Sequence, residues 1–160
     1  MSIDPDEFRS VLGRFATGVT IVTAADDQGR DHGLTVSAFA SLSLVPPLIL
    51  ACIDRTASIH PAMVVARFFA VNILSADQEP LARRFSTVDG DRFDGIGYSR
   101  GRTGVAVLDD VLGYVECRMV KTVDGGDHTI FVAEVEACHV NSKAPPPLLY
   151  YRGGYAQFER

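Results

Sequence analysis

The sequence is poor in cysteine, and its cysteines are not spaced as metal ligands or redox pairs. Cys52, Cys117 and Cys138 lie far apart, and no Cys-x-x-Cys pair occurs. A zinc knot or a dithiol redox motif is therefore unsupported. Because free cysteine packs like a small apolar residue, we expect all three to be reduced, largely buried thiols in a cytoplasmic protein.

Long apolar runs and basic runs are also absent. No apolar stretch reaches the roughly 18 residues that a membrane-spanning helix needs, and the acidic residues 1–7 lack the apolar core of a signal peptide. The formal net charge is −5, and no run of basic residues is longer than Arg83-Arg84. Since nucleic-acid-binding proteins usually carry a basic patch, the sequence predicts neither a nucleic-acid partner nor a membrane attachment.

The motifs of common enzymes are missing as well. The sequence has no Gly-x-Ser-x-Gly, no phosphate-binding P-loop and no dinucleotide-binding glycine motif between a strand and a helix. Its histidines have no metal-ligand spacing, and His128 and His139 would point to opposite faces of one strand. We therefore expect no metal site. The carboxylates are scattered, which favours a reaction whose chemistry belongs to a cofactor.

What is present predicts a single β-rich domain over residues 1–160. Apolar residues make up 47% of the chain, enough for a sizeable core. Asp4 before Pro5 predicts the start of a helix that ends near Thr17-Gly18. Two further short helices are predicted at Ser58–Arg67 and Gln78–Phe85, and a loop or lid at Gly90–Gly104. Six or seven strands joined mainly by hairpins favour an antiparallel sheet that closes into a barrel. The predicted strands are Val19–Ala25, Gly33–Leu44, Leu48–Ile53, Phe68–Leu74, Gly113–Val123, Thr129–His139 and the closing segments Leu148–Tyr151 and Tyr155–Phe158.

Two segments could carry function. His32–Leu44 is rich in small and hydroxyl residues, which let a ligand approach the backbone and offer it hydrogen bonds. A serine-rich strand facing solvent on one side explains it equally well. Gly126-Asp127-His128 is either a hairpin turn with an incidental histidine or a turn that presents the histidine to a cleft.

The order of five segments resembles the flavin reductase family, the reductase components of two-component flavin-dependent monooxygenases. Each segment alone is modest, but together they cover nearly the whole chain. They are the opening Phe15–Thr23, the flavin-binding segment His32–Phe39 with Ser41–Pro47, the central strand Phe69–Leu74, the signature Gly126–Phe131, and the closing strand Pro147–Tyr151 with Gly154-Tyr155. The sequence departs from the family at Val45, at Ser37 or Ala38, and at Ala133, which affects individual contacts.

The resemblance implies an FMN-binding split-barrel fold, with a few short flanking helices, and a homodimer with flavin near the subunit interface. It implies reduction of FMN or FAD by NADH or NADPH, and delivery of the reduced flavin to a partner monooxygenase. The scarcity of lysine and the scattered arginines give no clear site for a 2′-phosphate and lean towards NADH. The residues that the resemblance places against the flavin are Thr35, Val36, Ser37 and Ala38, then Cys52, Ile53, Asp54 and Ser58, and finally Arg84, Phe85 and Ser86. Those that it places against the nicotinamide nucleotide are His128 and Tyr155.

Two other functions fit the same fold. A flavin-binding electron-transfer protein would hold its flavin permanently and would lack free-flavin reductase activity. A non-catalytic ligand-binding or haem-utilisation barrel would neither bind flavin nor oxidise NADH.

Overall fold

The helices of this computed structural model, which describes residues 2–87 and 90–159, are short. They are α1 (Pro5–Leu12), α2 (His60–Val65) and α3 (Glu79–Ser86), the last preceded by a 3₁₀ turn at Ala76–Gln78. Helix α1 begins where expected, because the Asp4 carboxylate accepts hydrogen bonds from the N–H groups of Asp6 (2.9 Å) and Glu7 (3.0 Å). In the described residues, no helix is long and apolar enough to cross a membrane.

The predicted end of α1 near Thr17-Gly18 is wrong. The helix ends at Leu12, with Gly13 as its cap. Thr17 and Gly18 instead form a short strand that pairs with Tyr150 and Leu149. Residues 17–18 are therefore held in a strand by β11, which lies near the far end of the chain, and the local sequence carries no signal for this pairing.

Strands make up most of the rest of the chain, and more of them form than the sequence predicts, because several are very short. In chain order they are β1 (Thr17–Gly18), β2 (Thr20–Ala25), β3 (Asp31–Val36), β4 (Phe39–Ser43), β5 (Leu48–Asp54), β6 (Phe68–Ile73), β7 (Tyr98–Arg100), β8 (Ala106–Leu108), β9 (Gly113–Gly125), β10 (His128–Val140), β11 (Leu148–Tyr151) and β12 (Gly154–Gln157).

The main sheet has seven antiparallel strands in the order β3-β2-β6-β9-β10-β5-β4. Strands β1, β11 and β12 form a second small sheet. Strand β7 lies inside the segment Gly90–Gly104 that was predicted to be a loop, and it pairs with β8 just beyond that segment. The mainly β, antiparallel fold with short helices is therefore confirmed.

The two edges of the main sheet, β3 and β4, are consecutive in the chain and are joined only by Ser37 and Ala38. This short connection requires the sheet to roll up. On the other side of β4, the Cys52 N–H donates to the Ala38 carbonyl (2.9 Å), which extends the β4–β5 ladder into this connection. No ladder joins β3 to β4 in the described residues, so the barrel stays open along this seam, which is the split.

Two large apolar clusters and a third, small one of Ala70, Val105 and Val107 form the core. The first fills the inside of the rolled sheet, with Val22, Phe69 and Phe131 packed against Met63 of α2. The second lies between the sheet, α3 and residues 93–111, and includes Leu74 and Phe85. The border between the two larger clusters lies where β3 meets α3, and several of the predicted flavin-contacting residues lie there.

The expectation of three largely buried thiols holds for one cysteine only. Cys117 is buried, Cys52 is half-buried and Cys138 is exposed, although all three are free. Burial raises the pKa of the Cys117 thiol to about 12 and also raises that of Cys52. Cys138 lies near the end of β10, where residues 138–140 are all exposed and β5 no longer pairs with the strand.

Candidate functional site

The connection between β3 and β4 builds one wall of the candidate site. The Thr35 hydroxyl donates to the Ala82 carbonyl of α3 (2.6 Å), which ties the strand to the helix. Val36 is buried, whereas Ser37 and Ala38 are exposed. Among the residues that the structure describes, no protein acceptor receives the N–H groups of Ser37 and Ala38. The wall therefore offers small side chains and free backbone donors, as the segment predicted.

A cavity of about 190 Å³ opens beside this wall. We call it the hydroxyl cavity, because most of its lining side chains carry a hydroxyl group. Its lining residues are Val19, Thr35, Ser37, Ser86, Tyr150 and Tyr155. It thus brings together residues predicted from three separate segments: Thr35 and Ser37, Ser86 at the end of α3, and Tyr155 on β12.

Tyr155 is held on the far side of the hydroxyl cavity by an aromatic and a cationic neighbour. Its ring meets that of Tyr150 edge-on, with centroids 5.5 Å apart. The Arg83 guanidinium lies 5.0 Å from the Tyr155 ring centre and is itself paired with Glu79 (2.6 Å). Burial raises the pKa of the Tyr155 phenol, so the phenol stays protonated and can donate a hydrogen bond into the cavity.

The other two residues at the end of α3 serve the protein itself. Arg84 donates to the backbone carbonyls of Arg92 (2.8 Å), Asp91 (3.2 Å) and Asp94 (2.5 Å). Phe85 is fully buried and packs edge-on against Phe93, at 5.1 Å between centroids. Both side chains therefore hold residues 91–94 in place, and of the three predicted residues only Ser86 faces the cavity.

The residues predicted on and after β5 lie outside the hydroxyl cavity. Ile53 is buried in the core, so only its backbone is available to a ligand. The Asp54 carboxylate accepts from the Thr56 N–H and hydroxyl (both 2.8 Å), and these bonds lower its pKa. Ser58 lines a larger second cavity, of about 570 Å³, together with Gly33, Arg92 and Tyr98 among others.

His128 opens β10 and lies directly across the ladder from Asp54. Its side chain is 40% exposed, and its Nδ1 atom is 2.7 Å from a carboxylate oxygen of Asp127. Because an ionised carboxylate can only accept, Nδ1 carries the proton in this pair. When the ring carries this proton alone, its Nε2 atom is an acceptor for a donor such as a carboxamide. His128 does not line the hydroxyl cavity.

Two lining residues of the hydroxyl cavity, Val19 and Tyr150, were not predicted. Both lie inside segments that carry the family resemblance, so position within the motif was the available signal. Nearby on β1, the Thr17 hydroxyl oxygen is buried and has no hydrogen-bond partner within residues 2–87 and 90–159. Thr17 pairs with Tyr150 in the ladder. A polar atom without a partner next to a cavity is consistent with a ligand that supplies one.

The hydroxyl cavity fits the polar edge of a flat heterocycle such as a flavin ring. Ser37 and Ala38 leave room for a ring to approach, and their N–H groups can donate to its carbonyl oxygens and nitrogens. Three His, Cys, Asp or Glu side chains close enough to hold a metal ion do not occur in the described part of the chain. What the cavity supplies is therefore shape and hydrogen bonds.

Comparison with known proteins gives one consistent family. The family described as "Flavin reductase like domain" matches residues 12–159. The reductase component of a 4-nitrophenol 4-monooxygenase/4-nitrocatechol 2-monooxygenase from Rhodococcus opacus is 43% identical over 156 residues, or 98% of this chain and 82% of the relative. The FMN reductase (NADH) SmoA of Agrobacterium fabrum is 44% identical over 154 residues, or 96% of this chain and 86% of the relative.

A solved structure has the same fold as this chain. It is the NADH:FAD oxidoreductase SgcE6 of Streptomyces globisporus in complex with NAD and FAD fragments. The TM-score is 0.91 at 34% identity, and the match covers 99% of this chain and 97% of that one.

Proposed function

The chain belongs to the family of flavin reductase-like domains, and from this premise we infer that it is an NAD(P)H:flavin oxidoreductase. It reduces free flavin and supplies a partner monooxygenase. Relatives at 39% and 43% identity are named a flavin reductase (NADH) and a monooxygenase reductase component. Its cofactors are flavin and NADH.

The hydroxyl cavity is the single observation that carries the placement of the flavin. Thr35, Ser37, Ser86 and Tyr155 come from distant segments and converge on it. We place the flavin ring there, against the Thr35–Ala38 backbone. Flavin, when bound, supplies the redox chemistry by accepting a hydride from the reduced nicotinamide. The protein's part is to hold the two flat rings face to face and to keep water out.

The rest of the flavin extends, in this proposal, towards the end of β5. There the backbone of Cys52–Asp54 and the Ser58 hydroxyl border the ribityl chain and phosphate. Arg84 and Phe85 act indirectly, because their side chains fix residues 91–94, which face the second cavity together with Ser58. His128, with its Nε2 atom free to accept, contacts the nicotinamide nucleotide, and Tyr155 donates from the opposite side.

A homodimer is the assembly that we propose. Helix α1 contributes no buried residue, and its apolar side chains Phe8, Val11 and Leu12, with Phe15 beyond it, are each at least 52% exposed. An apolar helix face left uncovered is typical of an interface. The exposed thiol of Cys138 is free, which supports a reducing, cytoplasmic location.

The proposed flavin site is tested by filling the hydroxyl cavity. We expect Ser37→Tyr to weaken flavin binding by at least about tenfold, because the tyrosine ring competes with the flavin ring for the hydroxyl cavity. Fluorescence titration with FMN, FAD and riboflavin measures the Kd. Ser142→Tyr, on an exposed turn, is the matched control. An unchanged Kd in Ser37→Tyr would contradict the site.

The activity is tested with the same three flavins by following NADH and NADPH oxidation. Rapid turnover of added flavin is the expected result. A yellow protein that keeps its flavin through purification and oxidises little NADH would instead be an electron-transfer protein of this fold.

A further inference from the structure

The tip of the β9–β10 hairpin is fastened to the end of β5 by one residue, Arg55. Its backbone N–H donates to the Asp127 carbonyl (3.0 Å), and its Nε atom donates to the Gly126 carbonyl (3.1 Å). Its guanidinium also pairs with the Asp124 carboxylate. The side chain and backbone amide of Arg55 therefore bind three residues at the hairpin tip: Asp124 near the end of β9, and both residues of the turn, Gly126 and Asp127.

The hairpin tip has little else to hold it. Strand β6 pairs with β9 only as far as Arg118. The Met119 N–H still donates to the Arg67 carbonyl (2.9 Å), but past Met119 β9 is bonded, within the described residues, only to β10 and to Arg55, and residues 120–127 are exposed. On the other side, the β5 ladder ends with the pair Asp54–His128. Arg55 is the next residue, so its bonds to the hairpin tip extend the contact between β5 and β10 by one residue beyond the ladder.

Arg55 is itself directed by a tight turn. The Asp54 carboxylate accepts from the N–H and hydroxyl of Thr56, and the Ala57 N–H donates to the Asp54 carbonyl (3.0 Å). With residues 54–57 fixed in this way, the Arg55 side chain reaches the turn from a defined backbone. The guanidinium is partly exposed, at 44%, so it is retained by geometry more than by burial.

The residue that depends on this attachment is His128. It follows the turn directly, and its Nδ1 atom is bonded to the carboxylate of Asp127, the same residue whose carbonyl accepts from Arg55. A shift of the turn moves both members of the Asp127–His128 pair. The direction in which the His128 Nε2 atom points is therefore set from β5.

We propose that Arg55 is a positioning residue for NAD(P)H binding, because it fixes the turn that orients the His128 imidazole. This inference rests on the proposed role of His128 at the nicotinamide nucleotide. In this proposal Arg55 acts through the hairpin tip, because its guanidinium and amide are bonded to residues 124–127.

The test is steady-state kinetics with Arg55→Ala, Arg55→Lys and His128→Ala. We expect Arg55→Ala to raise the KM for NADH about 3- to 10-fold, the size of effect typical of losing a hydrogen bond and its ion pair. The kcat and the KM for flavin stay within about twofold, since an interaction made equally in the ground and transition states affects binding alone. Arg55→Lys restores only part of the loss, because one ammonium cannot replace a planar fork that binds two oxygens.

Arg118→Ala is the matched control. Arg118 also bridges residues of this hairpin, pairing with Glu134 and Glu136 (both 2.8 Å), but at the opposite end from His128. We expect the KM of the Arg118→Ala variant for NADH to stay at the wild-type value. Thermal unfolding of each variant separates loss of fold from loss of positioning.

Combined variants distinguish the two proposals. If Arg55 acts through His128, adding Arg55→Ala to His128→Ala raises the KM for NADH no further. Multiplying effects would mean that Arg55 binds the nucleotide directly, and would overturn the positioning role. If His128→Ala raises the KM but Arg55→Ala does not, Arg55 is refuted while the role of His128 stands. If His128→Ala itself leaves the KM unchanged, the nucleotide role of His128 fails, and the inference fails with it.

Discussion

A single glycine on β3 keeps the strand in contact with α3. Gly33 is buried, and a Cβ atom built on it would lie 2.4 Å from the Phe85 ring, which is fully buried and cannot swing away. Its carbonyl also accepts from Arg92 (2.7 Å). The distance between the β3 wall of the hydroxyl cavity and Ser86 on α3 is therefore kept only with glycine at this position.

Gly33→Ala tests this close contact. We expect the free energy of unfolding to fall by about 1–3 kcal/mol, the usual cost of overpacking a filled core. Urea denaturation measures it. Gly18→Ala, where no atom lies within 4 Å of the added Cβ, is the control and leaves stability nearly unchanged. Equal stability of the two variants would mean that the Phe85 ring yields.

At the residue scale, the sequence predicted which segments meet but not which way each side chain faces. Thr35, Ser37, Ser86 and Tyr155 do converge on one cavity. Phe85, next to Ser86, points into the core instead, because successive residues at the end of a helix face different directions. The position of a residue within a motif predicts where it lies along the chain. The direction in which its side chain points depends on how α3 is rotated against β3.

One buried carboxylate on β9 organises the segment between β7 and β8. Glu116 is 1% exposed and accepts from the N–H groups of Arg102 (3.1 Å) and Thr103 (2.7 Å) and from the Thr103 hydroxyl (2.7 Å). These donors belong to the turn between β7 and β8. Within the described residues, the N–H groups of Arg102 and Thr103 have no backbone acceptor. The strand and the turn are thus built around one side chain.

Removing that carboxylate takes the acceptor from three donors of a partly buried turn. We expect Glu116→Ala to lower the free energy of unfolding by about 1–3 kcal/mol. In contrast, Glu136→Ala breaks an exposed ion pair and changes stability by less than about 1 kcal/mol. Urea unfolding of both variants checks the difference, and similar losses would argue against the proposed weight of the buried bonds.

At the scale of elements, periodicity predicted most strands well and element ends poorly. The β9–β10 hairpin follows from alternation and a Gly-Gly turn, and both strands form. The long strand expected at Gly33–Leu44 breaks instead at Ser37-Ala38. The break lets the chain pass from one edge of the rolled sheet to the other. Because this closure depends on distant strands, its only local sign in the sequence is the run of small residues.

The assembly is a property of the whole molecule. If α1 covers its apolar face with a second copy of the chain, the double variant Leu12→Asp/Phe15→Asp disrupts the dimer, because burying two unpaired carboxylates is costly. We expect sedimentation velocity to show the wild type as a dimer and this variant shifted to monomer. Val140→Asp, which is 77% exposed elsewhere, is the control and remains dimeric. A variant that sediments like the wild type would exclude α1 as the interface.

The architecture of the whole sheet was predictable in class but not in strand order. Hairpin spacing indicates antiparallel neighbours such as β2–β3 and β9–β10. The pairing of β10 with β5 joins strands that are far apart in sequence, and composition carries no signal for it. Yet this pairing brings Asp54 and Arg55 to the hairpin tip, so the sequence could indicate His128 but not the residue that holds it.

Because two exposed residues carry the chain from one edge of the sheet to the other, the barrel has a joint where its own hydrogen bonding stops. A ligand bonded to the Ser37 and Ala38 amides supplies partners at that joint. By mass action, its binding free energy then adds to the stability of the rolled sheet. Affinity for the ligand and resistance of the seam to opening are consequently coupled: bound ligand keeps the seam closed, and a substitution far from the cavity weakens binding once it opens the roll in an appreciable fraction of molecules.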